Sequence, residues 1–312
     1  MLDVVALIIP FFGLIAVGAV VGRIRRQPLA ELGWLNTFVI YVALPALFFQ
    51  LLSKTPVERL TQWDFIAVNV GTTFVVLVVS LGVGAFLSRG NLSEATIQAL
   101  AGAYGNIGYM GPGLALLVFG ADAAVPVALI FCFENILHFS FAPAMMAVGG
   151  RVGGSRLALA GRVLRQIATH PFIIATALGV GAAFAGLTPP QPIDRLIGYL
   201  AQAAAPCALF AMGVTLALRP MKRVPLALAA IVPMKLLVHP ALMFAAMTAF
   251  GPFDPLWVST AVLLAALPTA TNVFVMAQQY DTWVERASAT ILVSTLLSVI
   301  TVSLALYLLR AG

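Results

Sequence analysis

Apolar residues run along this chain in ten stretches separated by short polar or glycine-rich connections: residues 4–22, 34–53, 64–88, 96–119, 123–149, 170–186, 194–218, 225–250, 256–279 and 286–309. A helix needs about 20 mainly apolar residues to cross the hydrocarbon layer, so the pattern predicts an all-α membrane protein of ten transmembrane helices. Two stretches cannot be continuous helices. In Ala103-Tyr104-Gly105-Asn106-Ile107-Gly108-Tyr109-Met110-Gly111-Pro112-Gly113, four glycines and a proline fall inside the fourth span. An interior Gly costs about 1 kcal/mol and an interior Pro about 3 kcal/mol relative to Ala. Non-helical backbone at membrane depth survives only when buried in protein or lining a wet cavity. A second break, Ala266-Leu267-Pro268-Thr269-Ala270-Thr271-Asn272, interrupts the ninth span.

The longest connection, residues 150–169, divides the chain into a first five-helix repeat, 1–149, and a second, 170–312. Because five is odd, two homologous halves would be inverted in the membrane. Residual similarity supports that relation. Ala43-Leu44-Pro45-Ala46-Leu47-Phe48 in the second span resembles Ala205-Pro206-Cys207-Ala208-Leu209-Phe210 in the seventh, and the two broken spans are likewise five apart. An inverted pair has a pseudo-two-fold axis in the membrane plane, and such an axis would bring the breaks, fourth and ninth, to a crossing near the bilayer centre.

Composition agrees with the pattern: 62% of residues are hydrophobic and 9% charged, and the mean hydropathy is +1.04. An ordinary soluble domain is excluded. The net positive charge does not point to nucleic acid, because Lys and Arg are scattered singly or in threes between apolar runs. They read as topology determinants instead. The odd-numbered connections carry Arg23, Arg25, Arg26, Arg89, Arg151, Arg156, Arg162, Arg165, Arg219, Lys222, Arg223 and Arg286. The even connections and termini carry only Lys54, Arg59, Arg195 and Arg310. Odd connections are therefore expected in the cytoplasm and both termini outside. The first apolar run has its positive charges after it, the reverse of a cleaved signal peptide, and is expected to remain as a span. Gly149-Gly150-Arg151-Val152-Gly153-Gly154 lacks the Gly-Lys-Ser/Thr of a phosphate loop and reads as a flexible cytoplasmic linker with a short basic interfacial helix. Cys132 and Cys207 lie in apolar segments without His or Cys at ligand spacing. No metal or cofactor is expected.

A broken helix exposes unpaired N–H and C=O groups, and the half-helix after the break aims its positive dipole end at the gap. Such an end binds anions without a charged side chain. Asn106 and Asn272 add amides, Thr269 and Thr271 add hydroxyls, and Gly105 and Gly108 allow close approach. The alternative is that these side chains only satisfy the freed backbone. Pro112 and Pro268 hold the breaks open, and Pro45 and Pro206 are further candidate helix breaks. Glu134 and Lys235 fall near the midplane of the fifth and eighth spans, where a lone charge costs at least about 2.5–3.5 kcal/mol. They are expected to pair or to face one cavity, with a structural ion pair as the alternative. His138 and His239 lie four residues beyond them on the same helical faces and are candidates for proton coupling. Asn135, Asn69 and Gln50 are lesser candidates. Gly18 and Gly22 read as a close-packing face. Trp34, Trp63, Trp257 and Trp283 fall at span ends and read as an interfacial belt. The Phe residues read as lipid-facing or core, with Phe48, Phe131 and Phe133 placed to line a cavity for an aromatic substrate.

These residues resemble the auxin efflux carrier family of plants, bacteria and yeast, whose bacterial members include carriers for malate and malonate. The most specific match is Ala266-Leu267-Pro268-Thr269-Ala270-Thr271-Asn272-Val273-Phe274-Val275-Met276-Ala277-Gln278-Gln279-Tyr280, similar to the family's ninth span. Gly105-Asn106 with Gly108, Leu44-Pro45-Ala46-Leu47 and Met234-Lys235-Leu236 with Pro240 resemble its fourth, second and eighth spans, and Asn135 falls where the family tends to carry Asn. The resemblance implies two inverted repeats forming a scaffold and a transport domain, with broken helices 4 and 9 crossing. Glu134 is not carried over from the family. The expected function is secondary transport of a small organic anion by alternating access in a bacterial inner membrane, with a proton as candidate coupling ion and a homodimer as candidate assembly. A sodium-coupled carrier resembling bile-acid symporters is the alternative, although neither break holds Asp or Glu. A membrane-embedded enzyme has only Glu134 and His138 to draw on. A channel fits two unlike breaks less well than a carrier.

Overall fold

The computed structural model describes residues 2–26, 28–150, 156–218 and 226–311. The described residues are almost all helical and form no β-strand. In chain order the elements are α1 (Leu2–Arg25), α2 (Gly33–Ser53), α3 (Trp63–Leu87), α4 (Leu92–Ala103), α5 (Gly111–Phe119), α6 (Ala124–Val148) and α7 (Arg156–Ala168). They continue with α8 (Pro171–Phe184), α9 (Gln191–Leu218), α10 (Leu228–Ala249), α11 (Pro255–Ala266), α12 (Asn272–Gln279) and α13 (Val284–Ala311). Among the described residues six segments are long and apolar enough to cross a membrane, and α8 and α11 are shorter apolar helices. This is a multi-span membrane protein. Residues 151–155, within the expected linker, lie outside the described residues. So do 219–225, which include the basic seventh connection.

Proline shapes these helices in two ways. At Pro45 and Pro206 the helix continues, so neither position is a break. A proline inside a helix removes one N–H and its ring crowds the carbonyl four residues back. In α2 and α10 the crowding is relieved by a single wider π turn at Val39–Ala43 and Met234–Val238, just before Pro45 and Pro240. Pro206 sits inside α9 with no such turn. Pro112 occupies the first turn of α5, where its missing N–H has no helical partner to lose.

The chain forms two compact units. The first comprises Met1–Trp63, Tyr109–Cys132 and Ala168–Pro220. Its helices pack through glycine. A Cβ built on Gly18 would collide with the Phe210 carbonyl, and one on Gly22 would lie 3.2 Å from Val214, so α1 and α9 approach with backbone against backbone. Gly179 of α8 packs in the same way on Leu52 and Phe49 of α2. Phe48, Phe131 and Phe172 fill the interior with ring centroids 4.3–5.4 Å apart, which makes Phe48 and Phe131 core residues. Overpacking of this kind costs about 1–3 kcal/mol. Gly18→Ala is therefore expected to lower the thermal unfolding midpoint of detergent-purified protein, whereas Gly13→Ala, with nothing within 4 Å of its Cβ, should leave it unchanged.

The second unit comprises Asp64–Gly108, Phe133–Ile167 and Met221–Gly312. Its buried side chains include Phe65, Leu77, Ile97, Leu100 and Tyr104. Tryptophan divides in an unexpected way. Trp34 and Trp63 are exposed, as an interfacial belt requires, but Trp257 and Trp283 are buried, and Trp257 packs edge-on against Phe65 at 4.8 Å. Position at a span end does not reveal whether neighbouring helices cover the ring.

Candidate functional site

Both interruptions form where the sequence places them, and they are closed by each other. Asn91 caps α4 by accepting the Glu94 N–H at 3.2 Å, and the helix ends where Tyr104 turns to extended geometry. Asp254 caps α11 at Leu256 N–H, 2.8 Å, and Leu267 is extended at the end of that helix, as steric conflict with the Pro268 ring demands. The two extended pieces lie antiparallel, with Gly105 bridged to Thr269. Asn106 N–H donates to Pro268 O at 2.8 Å and Ala270 N–H to Tyr104 O at 2.9 Å. Backbone groups that could not be left bare at this depth thus satisfy one another. Gly105 is fixed by space: a Cβ there would lie 3.0 Å from Leu264 O and 3.3 Å from Lys235 Nζ.

The side chains assigned from sequence divide into two kinds. Thr269 is fully buried and supports the backbone, its hydroxyl donating to Ala101 O at 2.8 Å and its N–H donating to Ser294 Oγ at 3.2 Å. Asn106 is also buried. Thr271, Asn272 and Gly108 remain partly accessible. Thr271 precedes α12 without capping it through its side chain. Asn272 opens α12, and its Nδ2 donates to Tyr104 Oη at 2.9 Å. Tyr104 in turn donates to Asn135 Oδ1. Its ring stacks on His138 at 4.0 Å with 10° between planes.

Tyr104 was missed from the sequence as a site residue although it adjoins Gly105. A single Tyr at the edge of a break carries no pattern, and only the fold places its hydroxyl between two asparagines far apart in the chain.

The charged residues meet as well. Lys235 and His239 lie one turn apart on α10, and Lys235 Nζ contacts His239 Nδ1 at 3.2 Å and donates to Ala265 O. Its Nζ thus touches the last turn of α11 and packs beside Gly105. Glu134 and Lys235 form no direct ion pair. Thr73 of α3 stands between, its hydroxyl donating to Glu134 Oε1 at 2.9 Å and lying 3.3 Å from His239 Nε2. All four side chains are buried. His138 Nδ1 donates to Glu134 O at 2.6 Å, because a carbonyl can only accept. That leaves Nε2 as an acceptor with no partner among the described residues. Of the lesser candidates, Asn69 is buried against Met243 with its Oδ1 unpartnered. Cys132 donates to Thr176, and neither cysteine is in a disulfide.

The paired breaks carry Asn106 and Asn272, with Lys235 packed beside Gly105, and hold no Asp or Glu. The class of the protein follows from comparison with known proteins. A family model described as "Membrane transport protein" matches residues 3–306. A protein of Rhizobium meliloti (strain 1021), provisionally named a malonate transporter, is 61% identical over 312 residues, covering all of this chain and 98% of that one. An uncharacterised transporter of Methanothermobacter thermautotrophicus (strain Delta H) is 26% identical over 273 residues, covering 86% of each chain. The chain belongs to this membrane transport family, the auxin efflux carrier-like family. It is a membrane transporter, and the family and these relatives are transporters rather than enzymes.

Proposed function

We propose that this chain is a secondary carrier for a small organic carboxylate, working by alternating access, with the anion held at the paired interruptions. One observation carries the reading: the two breaks pair at Gly105 and Thr269 with the Lys235 ammonium packed beside them and no Asp or Glu in either break. Asn272, Thr271 and Gly108, partly accessible at the breaks, are the first contacts for the carboxylate. Asn106 and Thr269 shape the backbone behind them, and Lys235 supplies positive potential. The printed name of the Rhizobium relative makes malonate the first substrate to test. His138 and His239 are the candidates for coupling to a proton.

The reading includes ten spans arranged as two inverted five-helix repeats with crossed broken helices, residues 1–149 and 170–312, in a bacterial inner membrane with both termini outside. Two observations support the repeat. Helices α4 and α11 have 12 residues each, followed after their breaks by α5 of nine and α12 of eight. The first unit holds α1 and α2 from one half with α8 and α9 from the other, and the second holds α3 and α4 with α10 and α11, so for these helices corresponding members share a unit. The correspondence stops there: α5 falls in the first unit and α12 in the second, and α6 is divided between the units while α13 lies in the second.

Asn272→Ala tests the site. Malonate counterflow into proteoliposomes is expected to fall at least about tenfold, the effect of removing one hydrogen bond to a charged group at about 1.5–3 kcal/mol, with expression and monodispersity unchanged. Wild-type counterflow in the variant would remove Asn272 from the site.

A further inference from the structure

We propose that Thr73 is a proton-relay residue, its hydroxyl joining Lys235 and His239 on one side to Glu134 on the other. This deepens the carrier reading and rests on it only where transport is measured. Helical threonines normally turn their hydroxyl back to the carbonyl four residues earlier. In this chain Thr72, Thr96, Thr260 and Thr290 do so, at 2.7–2.8 Å. Thr73 does not. Its hydroxyl donates across to Glu134 Oε1 and lies 3.3 Å from His239 Nε2.

The two ends fix every donor and acceptor between them. A lysine ammonium can only donate and a carboxylate can only accept. With Lys235 charged and Glu134 ionised, Nζ–H donates to His239 Nδ1, His239 Nε2–H donates to Thr73 Oγ1, and the Thr73 O–H donates to Glu134 Oε1. Passing a proton along the chain breaks Nζ–H, Nε2–H and Oγ1–H and forms Nδ1–H, a new Oγ1–H and Oε1–H. The result is a neutral amine, a neutral imidazole of the other tautomer and a carboxylic acid. Net charge is unchanged, and each bond now runs the opposite way. The same four side chains therefore support two charge distributions, one placing a positive charge beside Gly105 and Ala265 and one withdrawing it. An anion at the breaks selects the charged form and its departure releases the neutral one. The titratable groups facing the relay are Glu134 and His138 from α6 and Lys235 and His239 from α10, with Tyr104 stacked on His138. None of these replaces Thr73 as the link, since Glu134 and Lys235 do not touch.

The test is a pair of variants in the full-length protein reconstituted in lipid. Infrared pH-difference spectra should show the Glu134 carboxyl band, identified by its loss in Glu134→Gln, changing together with the imidazole bands assigned by His239→Gln. Thr73→Ser keeps a hydroxyl and should keep the joint change, while Thr73→Val should separate the two signals. Joint titration persisting in Thr73→Val, or independent titration in the wild type, overturns the relay whether or not malonate is carried. If malonate counterflow is present, it should be slowed in D2O in wild type and Thr73→Ser, as rate-limiting proton transfer between positioned groups requires. Thr73→Val should lose that slowing and flatten the pH profile. If Thr73→Val does not reconstitute, Thr73→Ala takes its place in both measurements. No malonate counterflow in wild type counts against the substrate assignment alone.

Discussion

Replacing Lys235 by Met is expected to reduce anion counterflow by at least roughly 100-fold, the lower end for the loss of two hydrogen bonds from a charged donor at about 1.5–3 kcal/mol each. The ammonium is fully buried, donates to Ala265 O and contacts His239 Nδ1, so Met keeps the stem and removes both donors. Arg is not a rescue. Its planar guanidinium is larger than the ammonium it replaces, and the space beside Nζ is limited by Gly105. Counterflow of malonate in proteoliposomes measures the effect, with size-exclusion profiles confirming the fold. Retention of most of the wild-type rate in Lys235→Met would show that the buried charge serves only the packing of α10 and α11.

Gly105→Val should abolish counterflow and also lower the thermal unfolding midpoint, because its side chain must occupy space already held by Leu264 O at 3.0 Å and Lys235 Nζ at 3.3 Å. Overpacking costs about 1–3 kcal/mol, and relief is available only by parting the antiparallel bridge to Thr269. Parting it would leave Asn106 N–H and Tyr104 O without partners, an added cost of about 1–3 kcal/mol for each buried group left unmade. Gly105→Ala tests the same contact more gently and should give an intermediate loss. Unfolding followed by intrinsic fluorescence, together with counterflow, reads both effects. Wild-type stability in Gly105→Val would mean that the bridge is not needed to hold the fold.

The positions of the breaks were legible in the sequence because Gly and Pro act locally and are concentrated there: Gly105, Gly108, Gly111 and Pro112 fall within eight residues, and Pro268 forces Leu267 into extended geometry. The placement of Lys235 with His239 and of Glu134 with His138 was legible for the same reason, since helical periodicity alone puts residues four apart on one face. Pro45 and Pro206 show where that reasoning fails. A proline specifies strain but not its relief, and a π turn absorbs the strain before Pro45 where a break was expected. The four tryptophans had one sequence signature and two fates, because burial depends on which helix covers the ring.

Sequence by itself determined a membrane-embedded helical chain, interrupted twice, with its few buried charges on known helical faces. Tertiary structure decided how those pieces are joined: Tyr104 between Asn272 and Asn135, Thr73 between Glu134 and His239, and each break closed by the backbone of the other. Local propensity and insertion cost are properties of a segment and can be read along one chain. A hydrogen bond between residues 168 positions apart, such as Asn272 to Tyr104, depends on which segments pack together, and only the folded chain fixes that.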